Sequence, residues 1–373
     1  MLLRLVDGLR ARGVECSVLL PWDGSLREEF ATRGIAHAIF PYRGWAHRGE
    51  PLRDRFRDLW ELRQLGPIVT QLRSWDVDLV VTNTSTVPLG ALAALVLRKP
   101  HVWYIHEFGR ADHGLSFYLG YTLTGKLISG LSKSVIVNSK AVGDFFSRYI
   151  PPEKIKVIYC GVDSPRQDGI RARLSERPRP PHLVMMGTYH PGKGHMVAIR
   201  ALRHLADQQV RAELTFAGII ADRPYFDSLK KAAVECHVEN SVSFETYRDD
   251  PGTVMAEGDV ILMCSRSEAF GLVTVEAMKL GKPVVGARSG ATPELIQEGI
   301  TGLLYEPDDA ADLASKIRFL LESPAAAKRM GENGQRSADL RFSMETYIDA
   351  ALRVFNEVAH QEEPDTRLSG GSS

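Results

Sequence analysis

Short apolar runs alternate with amphipathic helical stretches along almost the whole chain, and this alternation restricts the fold more than any other feature. Many of the runs are continuously apolar, as parallel strands buried on both faces are. Parallel strands need crossover connections, which are usually helices. The pattern therefore predicts an α/β protein with doubly wound sheets. The predicted strands are residues 15–20, 79–82, 101–105, 134–138, 156–159, 182–186, 213–217, 241–244, 260–263 and 283–286.

A polar, Pro-rich segment at residues 165–181 separates two series of predicted strands. The chain has 373 residues, which is enough for two domains of ordinary size. We therefore expect one Rossmann-like domain at residues 1–164, a linker at 165–181 and a second Rossmann-like domain at 182–340. A last helix is expected at 341–360, and the polar residues 361–373 are expected to be disordered.

Charge and cysteine content exclude several classes of protein. Lys plus Arg and Asp plus Glu both number 46, whereas a protein that coats nucleic acid carries a basic excess. No apolar run reaches the roughly 20 residues of a membrane-spanning helix, and no signal peptide is visible. The four cysteines lie far apart without zinc spacing, which indicates free thiols in a reducing compartment. The sequence predicts a cytoplasmic protein that binds no nucleic acid, and peripheral contact with the inner face of a membrane is left open.

The chain opens directly in an amphipathic helix, where a Rossmann-like domain ordinarily opens with a buried strand and a Gly-rich turn. One face of this helix is apolar and carries Leu2, Leu5, Val6 and Leu9. We therefore expect the first strand and turn of the first domain to be missing. Two explanations are left open: a natural start upstream of Met1 that adds roughly 15–25 residues, or a first domain with an altered sheet.

The segment after the predicted strand 260–263 carries two glutamates eight residues apart, Glu268 and Glu276. Open α/β sheets bind ligands at the carboxyl ends of their strands, which is where Glu268 lies. Backbone N–H groups at the start of the following helix suit an anion such as a diphosphate. A glutamate of a helical first turn beside a solvated helix face is the alternative interpretation. The residues expected to offer those backbone groups are Phe270, Gly271, Leu272 and Val273.

Three other loops follow predicted strands. The first strand of the predicted second domain leads into small residues, Gly187 and Thr188, and then Lys193, a combination that suits phosphate. An ordinary Gly-rich turn with an exposed lysine is the alternative. His106 follows a strand of the predicted first domain, where a surface histidine without a function is the alternative. A Gly-rich loop within residues 286–296 opens a further helix and faces the same cleft.

Together these segments resemble the retaining glycosyltransferases of family 4, which have the two-domain GT-B fold. The resemblance implies two Rossmann-like domains facing a central cleft, with residues 341–360 crossing back to the first domain. It also implies a UDP-, GDP- or other nucleotide sugar as co-substrate, no cofactor and no metal. The order and spacing of five segments carry it, namely residues 160–163, 187–194, 267–276, 290–296 and 298–304.

The resemblance also assigns roles to individual residues. Glu276 is expected to accept from the ribose hydroxyls and Glu268 from a hydroxyl of the donor sugar. Lys193 and the backbone of residues 270–273 are expected to neutralise the diphosphate, which stabilises the leaving group. His106 is expected to close over the sugar near the reacting carbon. In retaining members the leaving phosphate serves as the base, so no protein nucleophile is implied. Further donor contacts are expected from Gly187, Thr188, Tyr247 and Arg248, the last two near the nucleobase.

Two departures from the family keep an alternative function open. Thr188 stands where the family often has arginine, which leaves Lys193 as a weaker cationic site. The missing first turn puts a donor or acceptor contact in doubt. A sugar- or nucleotide-binding relative with impaired catalysis is therefore the second hypothesis. A phosphorylase-like enzyme would need a lysine for pyridoxal phosphate and a much longer chain.

Metal and acceptor binding are less well marked in the sequence. Asp76 and Asp78 form a DxD, a metal-binding signature of transferases of another fold, but they precede a strand where those enzymes place it after one. We interpret this DxD as a turn. Residues 43–73 interleave arginines with aromatic and acidic residues, which favours a salt-bridged solvated helix over a basic surface for anionic lipid. The expected acceptor is a saccharide or a lipid-linked saccharide.

Overall fold

We describe a computed structural model of the chain, which covers residues 1–47, 62–164, 179–246 and 251–360. Parallel strands alternate with helices in both halves of the chain, and this confirms the predicted α/β class with two Rossmann-like domains. The predicted strands agree with those observed to within a few residues. Four short strands were not predicted, because they hold too few consecutive apolar residues to stand out; they are Ala36–Ile39, Ala46–His47, Ser116–Phe117 and Leu303–Tyr305.

Within the described residues, the first domain contains eight strands. They are β1 (Ser17–Leu20), β2 (Ala36–Ile39), β3 (Ala46–His47), β4 (Val80–Thr82), β5 (His101–Ile105), β6 (Ser116–Phe117), β7 (Ser134–Val137) and β8 (Ile155–Val157). The helices are α1 (Leu2–Arg10), α2 (Ser25–Thr32), α3 (Leu65–Ser74), α4 (Leu89–Leu97), α5 (Arg110–His113), α6 (Gly120–Leu131) and α7 (Lys140–Phe146). β4, β5, β7 and β8 form a parallel sheet in that order, β1 and β2 a separate parallel pair, and β3 and β6 an antiparallel pair.

The second domain contains one six-stranded parallel sheet. Its strands are β9 (His182–Met186), β10 (Glu213–Ala217), β11 (Val242–Glu245), β12 (Val260–Met263), β13 (Val284–Ala287) and β14 (Leu303–Tyr305). The helices are α8 (His195–Asp207), α9 (Arg223–Glu235), α10 (Pro251–Glu257), α11 (Leu272–Lys279), α12 (Thr292–Leu295), α13 (Ala310–Glu322) and α14 (Pro324–Arg341), followed by α15 (Met344–Ala359). The strand order β11-β10-β9-β12-β13-β14 reverses between β9 and β12, which is where sheets of this kind bind ligands.

Helices cover both faces of this six-stranded sheet. Successive residues of a strand point to opposite faces, so Leu183 and Leu262 join one buried apolar cluster while Val184 and Ile261 join another. All four side chains are at most 1% exposed. Burial on both faces explains why the strands of this domain read as continuous apolar runs.

The last described helix, α15, packs against the first domain although it follows the second domain in the chain. Its residues Tyr347, Ile348 and Phe355 belong to one apolar cluster with Leu5 and Tyr104. The described chain therefore passes between the domains twice, once at residues 158–162, where Ile158 joins the first-domain cluster and Cys160 a cluster of the second domain, and once at residues 342–344. The two passages lie side by side, since the backbone N–H of residue 162 donates to the carbonyl oxygen of residue 342 at 2.9 Å.

A cavity of about 1550 Å³ lies between the two groups of parallel strands in the first domain. Both β1 and β4 line it, and among the described strands each pairs on one side only, β1 with β2 and β4 with β5. Apolar side chains line it, among them Leu5, Leu9, Leu20, Val80 and Phe355. The cavity lies where one more strand would join the two groups into a single sheet.

An apolar strand supplied to this cavity should therefore stabilise the fold. We expect a form extended ahead of Met1 by a strand and a Gly-rich turn, roughly 15–25 residues, to melt at least about 4 °C higher than the 373-residue chain. The reason is that such a strand pairs with both edges and buries apolar surface. The measurement is thermal unfolding of both forms. A matched extension with proline at alternate strand positions is the control, and equal melting temperatures for the two extensions would contradict the prediction.

Candidate functional site

Two loops meet where the strand order of the second domain reverses. One leaves β9 and the other leaves β12, and the backbone N–H of Arg266 donates to the carbonyl oxygen of Gly192 at 2.9 Å. Gly194 has φ +79°, and a Cβ there would lie 2.1 Å from the carbonyl oxygen of Cys264. Only glycine permits this approach without displacing the backbone. The two loops are thus held together by main-chain contacts, independently of their functional side chains.

The structure brings together two of the predicted catalytic residues, Lys193 and Glu268. The Lys193 Nζ donates to the Glu268 Oε2 at 2.9 Å, and the side chains are 36% and 15% exposed. A lysine ammonium carries three N–H donors, so this bond leaves others for a ligand. The pair therefore presents a partly shielded cation and a carboxylate at the ligand-binding edge of the sheet.

The helix α11 begins directly after this pair. Gly271 is its N-cap residue, with φ +99°, and the N–H groups of Thr274 and Val275 donate to the Gly271 carbonyl oxygen. The N–H groups ahead of them belong to the first turn, which has no intrahelical acceptor, and this includes those of Leu272 and Val273. The Phe270 ring is 3% exposed and packs 6.1 Å from the Tyr159 ring, so only its backbone could contact a ligand.

Glu276 lies in the second turn of α11 and is half-buried. Burial raises the pKa of its carboxyl group, and the positive charge of Arg4 opposes that rise. Arg4 belongs to α1 of the first domain and pairs with Asp163 at 3.1 Å. The predicted ribose-binding carboxylate is thus influenced by a cation from across the cleft.

The structure describes only some of the remaining residues that were predicted to contact the donor. Gly187 follows β9, and its N–H donates to the carbonyl oxygen of residue 217 at 2.9 Å, while Thr188 beside it is half-buried. The Tyr189 hydroxyl lies within hydrogen-bond distance of the carbonyl oxygens of residues 216 and 245, at 2.9 and 2.8 Å. Tyr247 and Arg248 lie outside the described residues, as do residues 48–61 of the arginine-rich segment.

His106 lies on the first-domain side, at the carboxyl end of β5. Its Nε2 lies 2.8 Å from the Asn83 Oδ1, and because that oxygen only accepts, Nε2 carries the proton and Nδ1 remains an acceptor. The Asn138 Nδ2 donates to the His106 carbonyl oxygen at 3.0 Å. Burial lowers the pKa of the imidazole to about 4. His106 is therefore neutral at pH 7 and suited to accept a hydrogen bond.

Glu107 anchors the loop that supports His106. Its Oε1 accepts from the Thr84 hydroxyl, the Ser85 hydroxyl and the Ser85 N–H, each at 2.7 Å, and its Oε2 accepts from the His106 N–H at 3.1 Å. The residue is only 7% exposed, so these four bonds compensate the cost of burying a carboxylate. Sequence reasoning missed Asn83, Glu107 and Asn138. Their shared signal was their position at the carboxyl ends of predicted strands, since Asn83 and Glu107 follow such strands and Asn138 is the last residue of one.

The two sides of the cleft meet at the residue after Glu268. The Ala269 methyl group joins an apolar cluster of the first domain that includes Ile105 and Phe108. His106 lies between those two residues in the chain. The loop that carries Glu268 thus packs against the loop that carries His106.

The DxD sequence lies away from this edge. Asp76 has φ +48° and lies with Asp78 in the turn between α3 and β4, at the amino end of the strand. This confirms the interpretation as a turn. Within the described ranges, no group of three or more His, Cys, Asp or Glu side chains is arranged to hold a metal ion.

Two further properties concern the chain as a whole. The four cysteines are unpaired, and Cys160 and Cys264 are buried. In the parts of the chain that the structure describes, no helix combines the length and the apolar character that crossing a membrane requires.

Comparison with known proteins shows that the fold is that of the GT-B glycosyltransferases. The family model Glycosyltransferase Family 4 matches residues 1–166, and the model Glycosyl transferases group 1 matches residues 166–337. The chain belongs to glycosyltransferase family 4.

Among curated relatives, the sulfoquinovosyl transferase SQD2 of Arabidopsis thaliana is 32% identical over 354 residues, which cover 89% of this chain and 65% of the relative. The N-acetyl-alpha-D-glucosaminyl L-malate synthase of Bacillus anthracis is 31% identical over 144 residues, which cover 39% of this chain and 38% of that protein. The chain thus spans less than two thirds of the length of either relative.

Among solved structures, HepE of Anabaena in complex with UDP and glucose has a TM-score of 0.78 and 25% identity, covering 95% of this chain and 94% of that chain. A glycosyltransferase of Rickettsia africae has a TM-score of 0.81 and 20% identity, covering 96% and 94%. Both likenesses extend over nearly all of this chain, so they include both domains.

The buried histidines should make stability depend on pH. Burial lowers the pKa of His101 and His195 to about 3 and that of His106 to about 4, whereas an unfolded chain binds these protons below about 6.5. Between about pH 6.5 and 4, these histidines therefore bind more protons in the unfolded state than in the folded state. The free energy of unfolding should therefore fall as the pH is lowered through that window, by up to about 1.4 kcal/mol per pH unit for each site.

His195→Phe tests this account at one position. The ring is fully buried against Tyr189 at 5.1 Å, and neither of its nitrogens has a hydrogen-bond partner among the described residues, so phenylalanine should fit. We expect the loss of unfolding free energy between pH 6.5 and 5 to shrink by about 2 kcal/mol. Denaturant unfolding at the two pH values measures it. The exposed His204→Gln serves as control, and an unchanged pH dependence in His195→Phe would contradict the prediction.

Proposed function

We propose that the chain is a retaining glycosyltransferase that moves a sugar from a nucleoside-diphosphate sugar to a saccharide or lipid-linked acceptor. The observation that carries the proposal is the meeting of Lys193 and Glu268 beside the first turn of α11, at the point where the strand order reverses. This combination suits a diphosphate joined to a hydroxyl-rich group. The structures of HepE in complex with UDP and with UDP-glucose support a uridine nucleotide as the first donor to try.

Each group has a distinct part in the proposed donor complex. Lys193 and the backbone N–H groups of residues 270–273 hold the diphosphate, and the lysine keeps Glu268 oriented at the same time. Glu268 accepts from a sugar hydroxyl and Glu276 from the ribose hydroxyls. The neutral His106 accepts a hydrogen bond at Nδ1 from a hydroxyl of the same sugar. The sugar is thus held from both domains, which fixes its reacting carbon.

The proposed chemistry keeps the configuration of that carbon. The bond from the anomeric carbon to the acceptor oxygen forms on the face from which the diphosphate oxygen departs, and the acceptor proton passes to the departing diphosphate. Charge develops on the diphosphate, where Lys193 and the start of α11 stabilise it, so the proposal needs no metal ion for this role. Asp76 and Asp78 lie at the opposite end of their strand, which supports this assignment.

A donor screen tests the proposal as a whole. Thermal unfolding with UDP-, GDP- and other nucleotide sugars should reveal one that raises the melting temperature, because a ligand that binds only the native state stabilises it. That sugar nucleotide, incubated with an acceptor mixture, should release its nucleoside diphosphate, and the proton coupling constant of the product's anomeric centre should report retention. No stabilisation by any nucleotide sugar would overturn the proposal.

Alanine variants of the two glutamates should lose different functions. Glu268→Ala should lower kcat/KM by about 10²-fold, of the order seen when one preorganised polar contact to the reacting group is lost. Glu276→Ala should chiefly weaken nucleotide binding, since the ribose does not react. Steady-state kinetics and calorimetric titration with UDP measure the two effects. Glu306→Gln, an exposed carboxylate paired with Arg288, is the control, and wild-type transfer in both alanine variants would refute the assignment.

Lys193 should matter for the phosphates and not for the base. Lys193→Ala should weaken binding of a nucleoside diphosphate at least about tenfold more than binding of the bare nucleoside, because a charge-assisted contact to phosphate is lost. Calorimetric titration with UDP and with uridine makes the comparison. Lys231→Ala, an exposed cation on α9, is the matched control. Equal losses for both ligands would show that Lys193 only shapes the turn.

A further inference from the structure

Glu294, on the short helix α12 of the second domain, accepts three hydrogen bonds at its carboxylate, and among the described residues all three donors belong to the first domain. Its Oε1 accepts from the Ala141 N–H at 2.7 Å. Its Oε2 accepts from the Lys140 N–H at 2.8 Å and from the Tyr159 hydroxyl at 3.0 Å. Three hydrogen bonds to one charged group thus join the two domains at a single point, and such bonds are roughly twice as strong as neutral ones.

The first-domain partners are well prepared for this carboxylate. Lys140 and Ala141 begin α7. The Oγ of its N-cap residue Ser139 accepts from the Val142 N–H, and Glu294 accepts from two further N–H groups of that helix start. Burial, and after it the charge of Glu294, raise the pKa of the Tyr159 hydroxyl to about 12. The hydroxyl therefore remains a donor throughout the neutral pH range.

The second domain fixes Glu294 from the other side. The Arg341 guanidinium donates to the Glu294 carbonyl oxygen at 2.8 Å and lies over the Tyr159 ring, 5.9 Å from its centroid. Arg341 ends α14, just before the chain passes back to the first domain. Arg341 thus holds the main chain that carries the Glu294 carboxylate.

The contacts of Glu294 lead directly to both halves of the candidate site. Three residues before it, the Ala291 N–H donates to the Glu268 carbonyl oxygen at 2.8 Å. On the first-domain side, Asn138 lies two residues before Lys140 and donates to the His106 carbonyl oxygen. A continuous chain of hydrogen bonds and short backbone segments therefore links His106 to Glu268 through Glu294.

We propose that Glu294 is a positioning residue that locks the two domains in the arrangement in which His106 and Glu268 face the same sugar. This role rests on the proposed function, since it acts through those two residues and does not touch the substrate. Without these hydrogen bonds, the domain arrangement in which both domains contact the donor is less populated. The apparent affinity for the donor then falls in proportion to that population, whereas a saturating donor concentration restores the arrangement.

Kinetics of the full-length Glu294→Ala, with UDP-glucose or whichever nucleotide sugar the donor screen selects, test the proposal. We expect the donor KM to rise about tenfold while kcat stays within about threefold, because coupling of this kind is typically worth 5- to 150-fold in affinity. Glu294→Gln keeps the shape but loses the charge and should lie between Glu294→Ala and the wild type. Tyr159→Phe removes one of the three donors and should raise KM by a smaller factor. A purely structural role would lower kcat and the melting temperature without raising KM, and that result would overturn the proposal.

A second readout does not depend on catalysis. Small-angle scattering should give a larger radius of gyration for Glu294→Ala than for the wild type. Glu298→Gln is the matched control, because its carboxylate, four residues further along, bonds only to Arg288 and the residue 304 N–H within the second domain among the described contacts. An unchanged radius of gyration in Glu294→Ala would overturn the lock. If the wild type binds no nucleotide sugar, the proposed function fails, and scattering still decides whether Glu294 holds the domains together.

Discussion

Parallel pairing of β9 with β12 places the predicted donor-binding groups of the second domain at one edge of one sheet. Val184 lies opposite Ile261 in this pair, so the two strands end side by side and their loops leave in the same direction. Lys193 and Glu268 are 75 residues apart in the chain, yet they form a hydrogen bond because of this register. A slip of one residue would turn the buried side chains of β12 to the wrong face of the sheet, so the register is fixed by the apolar core on both sides.

The candidate site contains few ionised side chains, and those it contains have partners. Lys193 is paired with Glu268, and burial disfavours the charged forms of both His106 and Glu276. Glu107 would by itself favour a protonated His106, but burial outweighs this effect. The Glu107 carboxylate is occupied by donors from Thr84, Ser85 and the backbone. The first domain thus contributes the neutral His106, and the second contributes the Lys193–Glu268 ion pair beside the start of α11.

The alternation of apolar runs and helices was enough to predict the fold class and most strands, because buried parallel strands leave a strong signal. It also located Glu268, Glu276 and Lys193, since each lies in a contiguous strand–turn–helix segment. Their pairing was not predictable, because alternation does not reveal strand order. The same holds for Glu294, whose partners in α7 lie 153 and 154 residues away. Glu107 was overlooked because its function is to hold a loop 22 residues earlier in the chain.

The return of α15 to the first domain affects the order in which the protein can form. Tyr347 and Phe355 belong to the same buried cluster as Leu5 and Tyr104, yet they are synthesised only after the whole second domain. On the ribosome the first domain must wait with an apolar surface uncovered, although amino-terminal domains generally fold first. Its core can therefore be completed only after α15 has been synthesised. A nascent chain of this architecture depends on α15 for the stability of the domain that emerged first.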